Sequence, residues 1–534
     1  MEPSEPELGR RRRTATPLPK VQVFIVILMQ LTEPISATVI FPFINQLVIS
    51  TGITQGDERK SGYYAGIIES VFFFSESLTT MLWGHVSDRY GRRPVLLLGP
   101  LGLAIMTSLF GLSSKYWALI MFRSLQGVFN GNLGVSKTVL AELSDATNMA
   151  TAFSFTSVMW QVGVTIGTSL GGVLSTPADQ WPNSSLGRSP LLQNHPYLLP
   201  CIATSFISLF IFLIAFIGLK ETHVGRYPHS SPYSTSVSSV STCTISPTVI
   251  KKKRMCLIDF WPGKTKSEDQ VSIAGAAENR LPPYGSTAHP HSRPRSTSED
   301  TLIGIDECPT KQAELQNSTS FRSLLISEDV LRPLSSLALL SFLETSISVL
   351  IPITYTTSVA NGGLGLTAMQ VGTLLSTGGA AGLIFSAICI PPLIRYFGVW
   401  KMHFAGMSAL IVGFLSIIMA NLAAKRSGYA DRLTWTFVVS QYASYIILPL
   451  GFTTAQMFVV NGAPTRDALG TTNGMVQSAR TLARTVAPVC VMSLFSVSKE
   501  YNLLHGQLSY VVCLLITLFG LRNLLRLPRE LSRL

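Results

Sequence analysis

Among the ionisable side chains inside long apolar runs of this sequence, Glu33, Glu69, Glu76, Arg123 and Glu344 stand out. A charge held away from water is costly, so each is a candidate for work that a structural residue would not need to do. The chemistry they suit is proton loading and release. Burial and a guanidinium neighbour pull the proton affinity of a carboxyl group in opposite directions. A glutamate close to Arg123 could therefore take up a proton and give it back as its surroundings change. Glu69 and Glu76 stand seven residues apart, two turns along one helical face, so both could line the same space. Glu69 falls near the end of its run, where water could solvate it.

A second constellation is the stretch from Gly84 to Arg93, GHVSDRYGRR. A helix is expected to end here and the chain to reverse within a few residues, with Gly84 and Gly91 supplying backbone freedom and close approach. Asp88 can sit against the positive N-terminal end of a helix from the other half of the molecule. Arg89, Arg92 and Arg93 can pair with acids such as Glu142 and Asp145. Such a cluster would latch one face of the protein in one state and release it in another. Charge that only oriented the chain in a bilayer would need neither Asp88 nor the two glycines.

The elements that must position these groups follow from composition. The chain has 534 residues, 47% of them hydrophobic and 13% charged, with a mean hydropathy of +0.36. That is too apolar for a soluble domain, and the apolar residues come in blocks of roughly 20, the length that crosses a bilayer core. Six spans are expected near 21–46, 62–83, 94–112, 117–140, 150–175 and 197–219. Six more are expected near 333–359, 368–391, 401–421, 433–460, 469–496 and 508–526. The first twenty residues lack an apolar core, so no cleaved signal is expected and span 1 must direct insertion. The reading is an all-α membrane protein with bundles at 20–219 and 330–526, flanked by cytosolic tails at 1–19 and 527–534.

Lys and Arg in the short loops set the orientation. With the N-terminus cytosolic, that side carries Arg10 to Arg13, Lys20, Arg89, Arg92, Arg93, Arg395, Lys401, Arg466, Arg522, Arg526, Arg529 and Arg533. The other side carries Arg59, Lys60, Lys115, Arg188, Lys425, Arg426, Arg432 and Lys499. Both termini are therefore expected in the cytosol. The net charge of +12 is dispersed over loops and tails instead of forming a stripe, so nucleic acid is not an expected partner. Residues 220–329, rich in Ser, Pro, Thr and charge, are expected to be a disordered cytosolic linker. Gly263-Lys264-Thr265 there resembles the end of a phosphate loop without its first glycine, and Lys251 to Arg254 suits anionic headgroups better than a nuclear address. The seven cysteines suggest no disulfide framework, and His85, His195, His403 and His505 are scattered near membrane faces, so no metal site, cofactor or catalytic constellation is expected. The sequon at Asn183 falls in an outside loop, that at Asn317 in the linker.

The halves echo each other. Span 1 reads LTEPISATVIFP and span 7 LETSISVLIP, each with one glutamate (Glu33, Glu344) and a later proline (Pro42, Pro352). The loop after span 2, SDRYGRRP, is matched by IRYFGVWK after span 8. Duplicated six-helix units that rock against each other about a shared central space would give this pattern.

The G-x-x-x-D-R-x-G-R-R run after span 2 resembles the signature of the major facilitator superfamily. Leu119, Arg123, Gln126 and Gly127 are similar to the span 4 pattern of its proton-coupled members, which implies a proton-transfer role for Arg123 with Gln126 beside it. Gly163, Gly167, Gly171 and Gly172 resemble the antiporter motif of span 5, with Thr168 where that motif has proline. Small residues there would allow close packing at the interface between bundles. PADQWP, NHPYLLPC, GGLGL and GTTNGMVQSARTLARTVAP resemble the fungal and plant branch that is similar to tetracycline-type drug:proton antiporters and zinc-induced facilitators. The resemblance implies two pseudo-symmetric six-helix bundles and proton-coupled efflux of a small organic solute or metal chelate by a monomer, in a plasma or vacuolar membrane. A proton-independent facilitator and a non-transporting receptor or scaffold are the alternatives. Phe72, Phe73, Phe74, Trp83 and Trp160 are expected to face lipid or fill packing.

Overall fold

The computed structural model describes residues 19–144, 149–222, 327–462, 468–527 and 529. Asp145, Asn317, most of the two tails and most of the 220–329 segment, including the 251–254 and 263–265 runs, lie outside the described residues. Among the described residues every regular element is helical. Nine helices there are long and apolar enough to cross a membrane, and Val158–Leu174 and Leu508–Leu524 are shorter apolar helices. Span 4, with Arg123 and Lys137 inside it, supplies the remaining crossing.

Span 2 (Ser61–Tyr90), span 3 (Arg92–Leu112), span 5 (Met149–Leu174) and span 6 (Leu198–Gly218) are continuous helices. So are span 7 (Glu328–Thr356), span 9 (Val399–Ser427), span 10 (Arg432–Gly462), span 11 (Ala468–Glu500) and span 12 (Leu508–Leu524). Three spans expected as single rods are broken. Span 1 runs as Lys20–Gln30, Thr32–Thr38 and Ile44–Ser50. Pro34 and Pro42 lack an N–H, and the stretch between the last two pieces closes by tighter turns, Phe41 N to Thr38 O and Phe43 N to Ile40 O, both 3.1 Å. Span 4 breaks between Tyr116–Asn130 and Leu133–Glu142, where the Asn132 amide turns aside to donate to Leu96 O at 3.2 Å. Span 8 breaks between Ala368–Ile388 and Ile390–Phe397, where Pro391 and Pro392 lack the N–H groups that would continue the ladder.

Span 2 continues about two turns past its expected end. Gly84 is therefore inside a helix, with nothing within 4 Å of where its Cβ would be, and does not serve the turn. Gly91 alone ends the helix, at φ +104° and ψ +161°. Gly398 ends span 8 at φ +83° and ψ +160°, so the duplicated loops share one left-handed conformation that favours glycine.

The halves meet along two helix pairs, span 5 with span 8 and span 2 with span 11. Both are tight at one end and open at the other. A Cβ on Gly372 would lie 2.4 Å from Gly172 Cα, one on Gly379 2.6 Å from Thr165 Oγ1, and one on Gly382 3.8 Å from Gln161 Nε2. Along spans 2 and 11, Gly62 abuts Ser496 and Gly66 abuts Met492, whereas Gly474 meets nothing within 4 Å. At the tight end the Glu58 carboxylate accepts from Ser358 N (3.0 Å), Ser358 Oγ (2.6 Å) and Asn361 Nδ2 (2.7 Å), joining the segment before span 2 to the segment after span 7. Next to it Arg59 grips Asp57 through both carboxylate oxygens, which holds the Asp57 carboxyl below its ordinary range. The open end carries Gly84 to Arg93, and there Met81 is 77% and Ile388 67% exposed.

Two glycines separate the helix-end role from the interior one. Gly84→Ala should raise stability by about 0.5–1 kcal/mol, since a helix-interior glycine gives way to a better helix former. Gly91→Ala should lower it by at least about 1 kcal/mol because of its positive φ. Unfolding in mixed detergent micelles measures both; equal shifts would contradict the assignment.

Candidate functional site

The interior charges resolve into two ion pairs and several partly paired groups. Arg123 is fully buried and crosslinks three spans. Its Nη1 donates to Ser36 O and Gln126 Oε1, both at 2.9 Å, and its Nη2 to Ala37 O at 3.1 Å and to Glu69 at 3.2 and 3.4 Å. The guanidinium lies 4.3 Å from the Phe72 ring centre. Glu69 is 1% exposed, so it is the partner of Arg123 and not a solvated end residue. Its level on span 2 is that of the unwound part of span 1, and the carbonyls freed there supply two of the bonds to Arg123.

The second pair joins the halves. Arg484 of span 11 donates from Nη1 to Glu33 Oε1 of span 1 at 3.3 Å. Phe73 and Trp160 cover its guanidinium, with ring centres at 4.3 and 4.5 Å. Phe72, Phe73 and Trp160 are thus platforms for interior arginines and not lipid-facing filler. Phe74 is half exposed, and the Trp83 indole donates to Val128 O at 2.6 Å.

Glu76 lies 3% exposed, and its Oε2 makes no hydrogen bond among the described residues. Glu33, Arg484, Asn130 and Lys137 surround it. Glu344 is partly exposed, within electrostatic reach of Arg480 and Arg484. Lys137, Arg480 and Arg484 were overlooked in the sequence, although the rule that singles out Glu33 applies to them equally: each is a charge inside an apolar span. Arg480 and Arg484 hid in a stretch read only for its likeness to relatives.

At the open end Arg92 is the hub. It donates to Asp88 Oδ1 at 2.5 Å, to Glu142 Oε1 at 3.0 and 3.1 Å, and to Ser87 Oγ. The backbone N–H groups of Arg92 and Arg93, at the start of span 3, donate to the two oxygens of Glu221 at 2.7 and 3.1 Å. Arg93 also donates to Phe216 O at 2.7 Å. Asp88 therefore bonds within its own half and not to a helix end of the other half, because Arg92 sits four residues away on the same turn region. Arg89 lies over the Tyr90 ring at 5.6 Å. Glu221 and Thr222, whose hydroxyl reaches Glu142 at 2.8 Å, were not foreseen because they follow span 6, far along the chain.

The span 5 glycines divide. A Cβ on Gly163, Gly167 or Gly171 would strike Pro34, Thr38 or Val39 of span 1 at 2.3, 2.4 and 2.0 Å, so these three pack inside one half. Gly172 alone faces the other half, at Gly372. Their four-residue spacing places three on one face, and the fourth falls on the next. His403, one turn into span 9, is buried between Ser336 Oγ at 2.9 Å and both Gly451 O and Thr454 Oγ1 at 3.1 Å, as a packing residue. Cys201, Cys389, Cys490 and Cys513 are free thiols; Cys243, Cys256 and Cys308 lie outside the described residues.

Breaking the Arg123–Glu69 pair from one side should be costlier than removing both charges. Glu69→Gln leaves a buried guanidinium without its anion and should destabilise by about 3–5 kcal/mol, while Glu69→Gln with Arg123→Met should recover a large part of it. Detergent unfolding of the three proteins measures this; equal losses in the single and double variants would contradict the pair.

The model of the family described as Major Facilitator Superfamily matches residues 26–488. The major facilitator-type transporter psiT2 of Psilocybe cyanescens is 27% identical over 538 residues, covering 99% of this chain and 94% of that one. The multidrug transporter mfsB of Aspergillus fumigatus is 26% identical, covering 95% and 84%. Zinc Induced Facilitator 1 of Arabidopsis thaliana is 27% identical, covering 92% and 87%. The crystal structure of a D-xylose–proton symporter superposes with a TM-score of 0.61 at 12% identity, covering 96% and 98%.

Proposed function

As the chain belongs to the Major Facilitator Superfamily, a family of transporters with twelve spans in two pseudo-symmetric bundles, we propose that it is a proton-coupled efflux antiporter. Its cargo is a small organic solute or metal chelate, moved by alternating access. The observation that carries this reading is the Glu33–Arg484 pair, a carboxylate and a guanidinium from opposite halves at 3.3 Å. Protonating Glu33 removes the charge that Arg484 holds, loosens span 1 from span 11, and so lets one proton alter how the halves meet. Glu76 and Glu344, near the same guanidinium groups, extend the route. Arg123 with Glu69 and Gln126 forms the fixed wall of that route in the N-terminal half.

The two ends of the molecule take reciprocal roles. The Glu58 clasp and the close glycines seal one end, while the cluster of Asp88, Arg89, Arg92, Arg93 and Glu142 at the other, paired within its own half here, exchanges these partners for ones across the halves when they swing. Gly91 fixes the turn that carries this cluster. With both termini cytosolic, the open end faces the cytosol and the solute leaves toward the outside or the vacuole. The bundles at 20–219 and 330–526 rock as units, joined through 220–329, in a single chain. The names of the fungal and plant relatives, a multidrug transporter among them, support efflux of an organic solute.

Proteoliposomes containing the full chain, loaded with a panel of drugs and subjected to an imposed pH gradient, test this directly. Flux should follow the proton gradient and fall at least about tenfold in Glu33→Gln, with Arg123→Ala inactive. Gradient-independent flux would instead indicate a facilitator, and unchanged flux in both variants would contradict the mechanism.

A further inference from the structure

Three guanidinium groups lie well away from the ends of the described spans, and two are accounted for by the carboxylates they hold: Arg123 by Glu69 and Arg484 by Glu33. Arg480 is different. It makes no ion pair within 4.0 Å and no hydrogen bond to any described residue. One face of its guanidinium rests on the Phe452 ring, 5.2 Å from the centroid. It is partly exposed, and none of its nitrogens is among the buried polar atoms that lack a partner, so its donors open onto accessible space. Four residues before Arg484, it projects from the same side of span 11, toward the meeting of the halves.

A second unpaired cation approaches from the opposite half. Lys137, in the second piece of span 4, is partly exposed and likewise makes no ion pair within 4.0 Å among the described residues. It and Arg480 lie within electrostatic reach of each other and of Arg484. Glu33 and Glu344 lie near Arg480 too, but Glu33 is engaged by Arg484 and Glu344 stays beyond ion-pair distance. Glu33 and Glu76 lie within electrostatic reach of Lys137 as well, but neither forms an ion pair with it within 4.0 Å, so the donors of both cations stay open to an anion that enters between them. A packing arginine would carry its own carboxylate, as the other two do. The planar fork of a guanidinium, backed by an aromatic ring, suits the paired oxygens of a carboxylate.

We propose that Arg480, with Lys137 opposite it, is the docking point for the carboxylate or similar oxyanion of an organic solute, so that the cargo is an organic anion gripped from both halves at once. This rests on the reading of the chain as a solute carrier, but not on proton coupling.

The test is ligand-dependent thermal unfolding of the full chain in detergent at constant ionic strength, with benzoate as probe and benzylamine and benzyl alcohol as charge controls. Benzoate should raise the midpoint by about 2–4 °C and the two controls should not. Arg480→Gln should unfold at a higher midpoint than wild type without ligand, because an uncompensated charge is gone, and should lose the benzoate response. Lys137→Gln should need about tenfold more benzoate for the same shift. Arg480→Lys, which keeps the charge without the fork, should respond more weakly than wild type and serves where the glutamine variant does not fold. No benzoate response in wild type, an unchanged response in Arg480→Gln, or an equal response to benzylamine would each overturn the anion site. Loss of the site with flux still driven by the pH gradient would leave the antiport reading standing, and benzoate binding without gradient-driven flux would leave the anion site standing alone.

Discussion

A charged side chain at the depth of a bilayer must find its opposite or be neutralised, and the rest of the structure is arranged around that constraint. Arg123 meets it inside one half: span 1 unwinds at Val39 to Phe43, exposed carbonyls of that span turn toward the guanidinium, and span 2 brings Glu69. Arg484 meets it across the halves through Glu33. The first pair joins spans of one half, and the second joins spans of opposite halves, which part in the proposed mechanism. On the proposed mechanism the same chemistry serves as a rivet in one place and as a reversible contact in the other, and what distinguishes them is which elements each joins.

The close packing follows the same division. Gly163, Gly167 and Gly171 hold span 5 against span 1 within a half, where no motion is needed, while Gly172 and Gly372 let spans 5 and 8 touch backbone to backbone at the sealed end. From that point the helices diverge toward the end that carries Arg92. A rigid body pivoting about a small contact needs this geometry: near-zero separation at the pivot and widening away from it. The Glu58 clasp adds three directional bonds at the pivot end, and they cross between halves without involving any interior charge.

Much of this was legible in the sequence. Blocks of apolar residues gave the count of crossings, and the arginines of the GHVSDRYGRR run were expected to meet acids such as Glu142, as Arg92 does across 50 positions, whereas the local Asp88–Arg92 pair, one turn apart, was not expected. The breaks in spans 1, 4 and 8 were less legible, since hydropathy counts apolar residues and does not register the missing N–H of Pro34, Pro42, Pro391 or Pro392. The sequence offered four glutamates as neighbours for Arg123 without picking out Glu69, and the pairing of Glu33 with Arg484 was not legible at all. Glu69 and Glu33 are separated from their partners by 54 and 451 positions, and no spacing rule reaches across such distances. Lys137, Arg480 and Arg484 could have been found by applying the cost of buried charge evenly to bases as well as acids.

The central claim is that the Glu33–Arg484 contact holds the halves in a state sealed at the Glu58 end and parted at the Arg92 end. Spin-label distances in lipid nanodiscs test it most directly, with one pair at positions 55 and 501 and another at positions 81 and 388, compared between wild type and Glu33→Gln. The account predicts changes of opposite sign, the first distance lengthening as the second shortens. Distances that stay fixed in the variant, or that lengthen together, would contradict it.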